Sequence, residues 1–534
     1  MTLFDRPGLR AWASVLLFSC GRAVCAQPET LAAPPMSAWE AQVTPAPLDD
    51  YKARVPAGVS VKALPGNAVR ICYLIPSNRV AQTNAVAKLQ YALLQWREFY
   101  REQMERNGFG SKTFAYETDV DGVTPKVWVV NAPNTDAYYR ADPWSRVSPA
   151  AQAAGLPVWG SGNMWIEVYE AHVMNSDGSV TGPWNGGASF GSGSDGGVGM
   201  TCAYMLTLVT DSDLTDNRLY DNLTLPIIGP YPMKYGVTQA NFDGNTVSSL
   251  SSVQHGVIFH EASHGFGLDH DFRHDGNFAG NLMGNGFRGV RGYLKSSLYP
   301  ADELRASYAS ALVLNVNRYF NPSVTYTENT KPTLSVLTSG AVTPSTGSIG
   351  IRFQASDASG LAAMHLKLDG NVIGEAALSG TSVDQTITTP YFTPGTANSY
   401  AISVFDTQGN RQDASFSITP NSGFNRGPQP FVKIKPSSAL TGASIQLDAG
   451  ISSDPDGVSA NMTVEWDLNG DGTFDTAPTT NKVHYTSYPT AGVRLVRCRL
   501  TDTAGGVSIS TPIGVRTTNP PPASVPRELW ETLD

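Results

Sequence analysis

The chain has 534 residues, too many for one compact core, so about two to four domains are expected. A 41% hydrophobic and 10% aromatic content excludes wholesale disorder, and 16% charged residues with 51 glycines and 36 prolines suit a turn-rich, strand-rich chain. A formal net charge of −9 with no basic cluster excludes nucleic acid and anionic membrane as partners.

The N-terminus predicts export. Arg6 and Arg10 flank an apolar stretch over residues 11–18, and Val24-Cys25-Ala26 places small residues before Gln27, so residues 1–26 read as a signal peptide. That stretch is too short to span a bilayer, and no later segment is a transmembrane candidate. Leu17-Phe18-Ser19-Cys20 offers a lesser reading, lipid anchoring at Cys20, into which Phe18 fits poorly. The protein is thus expected to be secreted, by a route of bacterial type. Residues 27–62, rich in Ala and Pro and without period, are a pro-segment or a linker.

Regular structure is expected to begin with a strand over residues 69–75, ended by Pro76. Val86, Leu89, Leu93, Trp96 and Tyr100 repeat at three- and four-residue steps and predict a helix that Gly108 can cap. Strands follow over residues 126–130 and 164–169. A glycine-rich stretch, 186–199, reads as a flexible approach to a further strand over 200–208. Those glycines do not follow a strand and open a helix, so they make a poor phosphate cradle. Of the cysteines left after signal removal, Cys72 and Cys202 share one region; a disulfide and two buried free thiols both stand as readings. From Val247 a second helix carries Leu250, Val253 and Val257 on one stripe, which His260 and His264 continue. A third helix is expected from Asp302 to about Tyr319.

From Lys331 helical periods vanish. Short alternating runs separated by Gly, Asn, Asp and Ser predict two antiparallel β-sandwiches, over 328–420 and 428–518, with an unstructured tail over 519–534. Residues 63–325 then form the domain that carries the chemistry.

That chemistry sits in the run from His260 to His270. Histidines four apart on a helix leave from one face, one turn apart, and two neutral imidazoles so placed can hold zinc. Glu261, beside the first of them, is placed to take a proton from water and pass it to a leaving amine. Gly267 lets the chain turn sharply with positive φ, so that His270 can return as a third ligand. Three protein ligands leave an open position, the catalytic rather than the structural arrangement. His274 lies four beyond His270 but fits no return set by Gly267, and it is left out of the ligand set. His255 reads as an ordinary helix residue; His172, His365 and His484 are isolated.

These residues match at every fixed position the HExxHxxGxxH signature of the metzincin zinc endopeptidases, which the region 257–283 resembles. The resemblance implies an α+β catalytic domain with an open α/β-type sheet, an active-site helix beneath it, a cleft between two subdomains, and a methionine turn under the metal, for which Met283 is the candidate. Asp271, directly after the third ligand, is similar to the reprolysin-like branch, where this position is structural. Asn285 stands where astacin-like and serralysin-like members carry a tyrosine, and no cysteine-switch motif precedes the site. Residues 287–293 are the expected wall of the specificity pocket.

In the last module, residues 453–457, 465–475 and 500–502 together resemble a polycystic-kidney-disease-type (PKD) repeat, and Asp357-Ala358-Ser359-Gly360 places the module before it with bacterial immunoglobulin-like domains. Asp467, Asn469, Asp471 and Asp475 mimic the first part of a calcium loop, but Pro478 stands at the twelfth position and has no side-chain oxygen to offer. Neither module shows a catalytic group, so both read as spacers or polymer-binding modules. The expectation is a secreted zinc endopeptidase acting on protein or glycoprotein substrates. The rival is a non-catalytic adhesin or polymer-binding surface protein with a relic zinc site, a role that would not need Glu261.

Overall fold

The computed structural model describes residues 67–519, apart from 175–179, 182–184, 191–195, 207–246, 295, 297 and 322–327. The signal peptide, Cys20, the segment 27–62 and the end of the C-terminal tail therefore lie outside the described residues. Among those described, no helix is long and apolar enough to cross a membrane. The architecture is multidomain: an α/β-type region followed by β-sandwiches.

The first region is built on strands β1 (Val69–Ile75), β2 (Val127–Asn131) and β3 (Met164–Tyr169), with a small pair β4 (Val173–Met174) and β5 (Val180–Thr181), then β6 (Asn185–Phe190) and β7 (Gly197–Cys202). The main sheet runs β2-β1-β3-β7-β6, parallel except for β6, which lies antiparallel at the edge beside β7. β3 and β7 are buried along their whole length, as expected of the inner strands of a parallel sheet covered on both faces.

Helix α1 (Ala85–Arg106) shares one hydrophobic cluster with the sheet. Leu89, Leu93, Trp96 and Tyr100 of the expected stripe are buried, but Val86, in the first turn, is 36% exposed and drops out of it. Gly108 takes φ 87° past the helix end, and the amide of Phe109 reaches back to the Met104 carbonyl at 2.9 Å. The buried face of α1 grips a second long helix, α2 (Val247–His264). Trp96 stacks on Phe266 at 5.1 Å, and the Tyr100 hydroxyl donates to Ser263 Oγ at 2.7 Å.

Two expectations need correction here. The strand expected over 200–208 starts earlier, at Gly197, and stops at Cys202, where a 3-10 turn (Ala203–Leu206) takes over. Its glycines are not slack. A Cβ on Gly199 would lie 2.6 Å from Ala262 Cα, and one on Gly197 would overlap the Gly265 carbonyl, so β7 can press its backbone against that of α2. The third helix is also shorter than its period suggests. Residues Glu303–Arg305 form strand β9, parallel to β8 (Ala279–Asn281), and helix α3 spans only Tyr308–Leu314. Ser307 starts α3 by accepting from the Ser310 amide, and an N-cap cannot sit inside a helix.

Cys72 and Cys202 are both buried and are not joined by a disulfide. Cys72 lies opposite Glu167 of β3 and Cys202 opposite Tyr169, so β3 separates them by two strand spacings, roughly 10 Å, too far for a disulfide.

Next come β10 (Thr333–Val336), β11 (Gly340–Val342), β12 (Ile349–Ser356), β13 (Leu361–Leu368), β14 (Asn371–Ala377), β15 (Ser382–Thr389), β16 (Asn398–Asp406) and β17 (Arg411–Pro420). They pair as β10-β12-β15 and β11-β17-β16-β13-β14. Ile349, Ile351, Phe353 and Ala355 alternate inward from β12 onto Met364, Leu366, Ile402 and Val404. A second pair of sheets closes residues 433–518 around Trp466. The first sandwich does not stand apart: Ala363 and Phe405 belong to the hydrophobic cluster of the α/β-type region.

Candidate metal centre

α2 ends on His260-Glu261-Ala262-Ser263-His264, and the helix stops there. The amide of Gly267 bonds back to the His264 carbonyl at 2.8 Å, and Gly267 itself takes φ 86°, a conformation glycine adopts without strain. The chain turns back, and His270 arrives with its ring 4.6 Å from that of His264 and 5.3 Å from that of His260. One ring nitrogen of each histidine then lies within 4.8 Å of the others.

Two backbone carbonyls set the ring orientations. His260 Nδ1 faces the Leu282 carbonyl at 2.7 Å, and His264 Nδ1 faces the Leu268 carbonyl at 2.7 Å. A ring nitrogen facing a carbonyl carries the proton, so the Nε2 lone pairs of both are free. His264 Nε2 lies 3.1 Å from His270 Nε2. Tetrahedral zinc with N ligands at ~2.0–2.1 Å separates those nitrogens by roughly 3.3 Å, so the donor set fits the ion in spacing and protonation. Burial, with the neighbouring histidine charges, holds His260 well below its ordinary pKa. The same causes bring His270 down to about 4, and burial lowers His264. All three are neutral at pH 7 and ready as ligands.

Glu261 sits between the two helical histidines, its carbonyl against Gly199. Burial alone pushes its carboxyl up to about 8. A nearby dication would pull that value back down toward neutrality, the range in which a carboxylate can both accept and release a proton.

Met283 is buried, 1% exposed, and its carbonyl accepts the Asp271 amide at 2.9 Å. It belongs to a tight turn, Gly284 N–H to Asn281 carbonyl at 2.9 Å. Asp275 organises that turn by accepting from the amides of Asn281 (2.8 Å) and Asn285 (2.6 Å). Asp271 is fully buried; burial alone would raise its pKa, but its ion pair with Arg273 at 2.8 Å outweighs that and holds it low. His274 is turned away from the three histidines: its Nδ1 accepts the amide of Val432, in the second sandwich, at 3.0 Å. Of the expected pocket wall, Phe287 lies 5.3 Å from the His260 ring, whereas Tyr293 packs on Phe99 at 5.4 Å and bonds Glu102.

The four candidate calcium ligands spend their oxygens on their own loop. Asp467 accepts from Gly470 and Gly472, Asn469 from Asp471, Asp471 from Thr473, and Asp475 from Leu468. A different carboxylate group, Glu328, Asp357 and Asp406, converges within 4.8 Å in the first sandwich, with Asn410 donating to Asp406 at 2.9 Å. Sequence reasoning misses this group, as it misses Asp275 and the carbonyls of Leu268 and Leu282. Backbone acceptors carry no sequence signal. Asp357 and Asp406 look, by pattern, like ordinary turn residues.

No family model matches the chain, and no curated protein does. Among solved structures, wild-type OgpA from Akkermansia muciniphila is similar at 14% identity and TM-score 0.46, over 68% of this chain and 97% of that one. A catalytically inactive OgpA in complex with an O-glycopeptide substrate matches at 14% identity and TM-score 0.44, over 68% and 96%. Fibronectin(III)-like modules of Clostridium thermocellum CbhA match at 15% identity and TM-score 0.14, over 35% and 94%.

Proposed function

We propose that this chain is a secreted, metzincin-type zinc endopeptidase with His260, His264 and His270 as ligands and Glu261 as general base and acid. The observation that carries the reading is the convergence of one ring nitrogen from each of His260, His264 and His270 within 4.8 Å, with His264 Nε2 and His270 Nε2 3.1 Å apart.

Zinc held there supplies Lewis acidity toward the scissile carbonyl and acidifies water. The chain does the rest. The carbonyls of Leu282 and Leu268 hold the two helical imidazoles in the tautomer that presents Nε2. Glu261 takes the proton of the attacking water on its carboxylate and hands it to the leaving amine. Met283 and Asp271 are structural, joined by the backbone bond between them. Among the described residues β6 is the antiparallel edge strand of the sheet, the position at which an extended peptide would add as a further strand. Substrates are proteins or glycoproteins. The division into a peptidase domain over 63–325, an immunoglobulin-like sandwich over 328–420 and a PKD-type sandwich over 428–518 is part of this reading, and three hydrophobic clusters support it.

The test pairs zinc content with hydrolysis of unfolded casein in wild type and Glu261→Gln. One zinc per chain in both, with cleavage only by wild type, is expected. Zinc without cleavage, even after residues 27–62 are removed, would move the adhesin reading ahead; no zinc at all would end the proposal.

A further inference from the structure

The third ligand has no regular element of its own. His270 sits on the irregular segment that follows Gly267; from its own region that segment is held at Leu268, by His264, and at Asp271, by Met283 and Asn281, while no bond seen among the described residues of that region reaches the backbone of His270 itself. A ligand held so loosely would cost affinity, because the metal would have to order it.

The first sandwich supplies what is missing. Arg411, opening β17, donates Nη1 to the Gly267 carbonyl at 3.0 Å and Nη2 to Asp269 Oδ1 at 3.0 Å. From β13, Lys367 Nζ reaches the same carboxylate oxygen at 3.3 Å, and His365 Nδ1 stands 3.8 Å from Asp269 Oδ2. From β14, the amide of Val372 donates to the His270 carbonyl itself at 2.8 Å. Past the ligand, Arg273 ties Asp271 (2.8 Å) to Glu375 of β14 (2.6 Å). Arg411 is itself fixed, paired with Asp413 at 2.9 Å and lying over the Phe405 ring at 5.4 Å.

We propose that the first β-sandwich is a working part of the metal centre, and that Arg411 is a positioning residue which fixes His270 through Gly267 and Asp269. The inference rests on the zinc-peptidase reading above. It differs from the spacer role expected of this module, since a spacer need not touch the ligand-bearing segment. It also differs from simple interdomain adhesion. The guanidinium spans two acceptors on either side of Leu268, and a planar fork does this while a point charge does not.

The experiment uses the full-length chain and measures zinc affinity by chelator competition, together with the visible spectrum of the cobalt-substituted protein. Arg411→Ala, shown to be folded by circular dichroism, is expected to bind zinc about 10- to 100-fold more weakly and to give an altered cobalt spectrum. Arg411→Lys should recover part of the affinity, since lysine reaches one acceptor but not both. Asp269→Asn should weaken zinc in the same direction, and it stands in if Arg411→Ala does not fold. Arg352→Ala, which removes an exposed pair with Asp384 on the far sheet, should leave both readouts unchanged. Wild-type affinity and spectrum in folded Arg411→Ala or Asp269→Asn would overturn the inference while leaving the peptidase reading intact. Absence of zinc from wild type would instead end that reading.

Discussion

His264 and His270 present Nε2 to Nε2 at 3.1 Å, and His264 gives its Nδ1 proton to the Leu268 carbonyl two residues before His270. One short turn thus both orients the second ligand and delivers the third. Replacing His270 with alanine is expected to lower zinc affinity by more than the roughly 100-fold typical of losing a supporting hydrogen bond. Equilibrium dialysis against zinc checks this; an unchanged affinity would remove His270 from the ligand set.

His274 gives the complementary prediction. Its Nδ1 accepts the buried Val432 amide, so His274→Ala leaves that donor unpaired at a cost of about 1–3 kcal/mol. Denaturant unfolding should register the loss while zinc content stays at the wild-type level. A zinc-free variant would mean that His274 had been wrongly excluded.

Gly199 tests the contact beneath the active-site helix. Alanine there places a Cβ 2.6 Å from Ala262 Cα and from the Glu261 carbonyl oxygen, backbone atoms that cannot swing aside. Overpacking of this kind costs about 1–3 kcal/mol or more. Gly199→Ala should melt earlier and cleave more slowly, whereas Gly122→Ala, with nothing near its Cβ and only a strained φ of 73°, should leave cleavage untouched. Equal cleavage by the two variants would show the β7–α2 contact to be loose.

Stability should fall on the alkaline side because of Glu167, buried in β3 and bonded by Ser148 at 2.6 Å. Burial raises its pKa from the ordinary 4.5 to about 7, an effect worth on the order of 3 kcal/mol. The folded pKa is the higher one, so this stabilisation is complete below 4.5 and is lost as pH rises through 7. Glu167→Gln should flatten the decline in melting temperature between pH 5 and pH 8. A decline as steep as wild type would assign the effect to another group, of which Glu170, also raised to about 7, is the first to examine.

The part of the site that lies on one helix is legible in the amino-acid sequence alone, because a four-residue spacing maps directly onto one helical face. Strands β1 and β3 are equally plain, their apolar runs being bounded by Pro76 and by glycines. Other features hinge on partners distant in sequence. The end of β7 at Cys202 and the start of α3 at Ser307 follow from a 3-10 turn and a serine cap, which hydrophobic period does not report. Val86 belongs to the period but is 36% exposed, which the spacing alone does not reveal. Asp269 and Arg411 are 142 residues apart, and neither carries a motif, so no local pattern joins them.

The 144 residues between Gly267 and Arg411 also matter for the order in which the protein is made. During synthesis the helix with His260 and His264 emerges long before the guanidinium that braces the third ligand. A nascent chain that ends within the first sandwich possesses His260, Glu261, His264 and His270 yet lacks the brace. On the proposed zinc reading, a chain whose C-terminal half is unfinished would hold the metal weakly even with all three histidines in place.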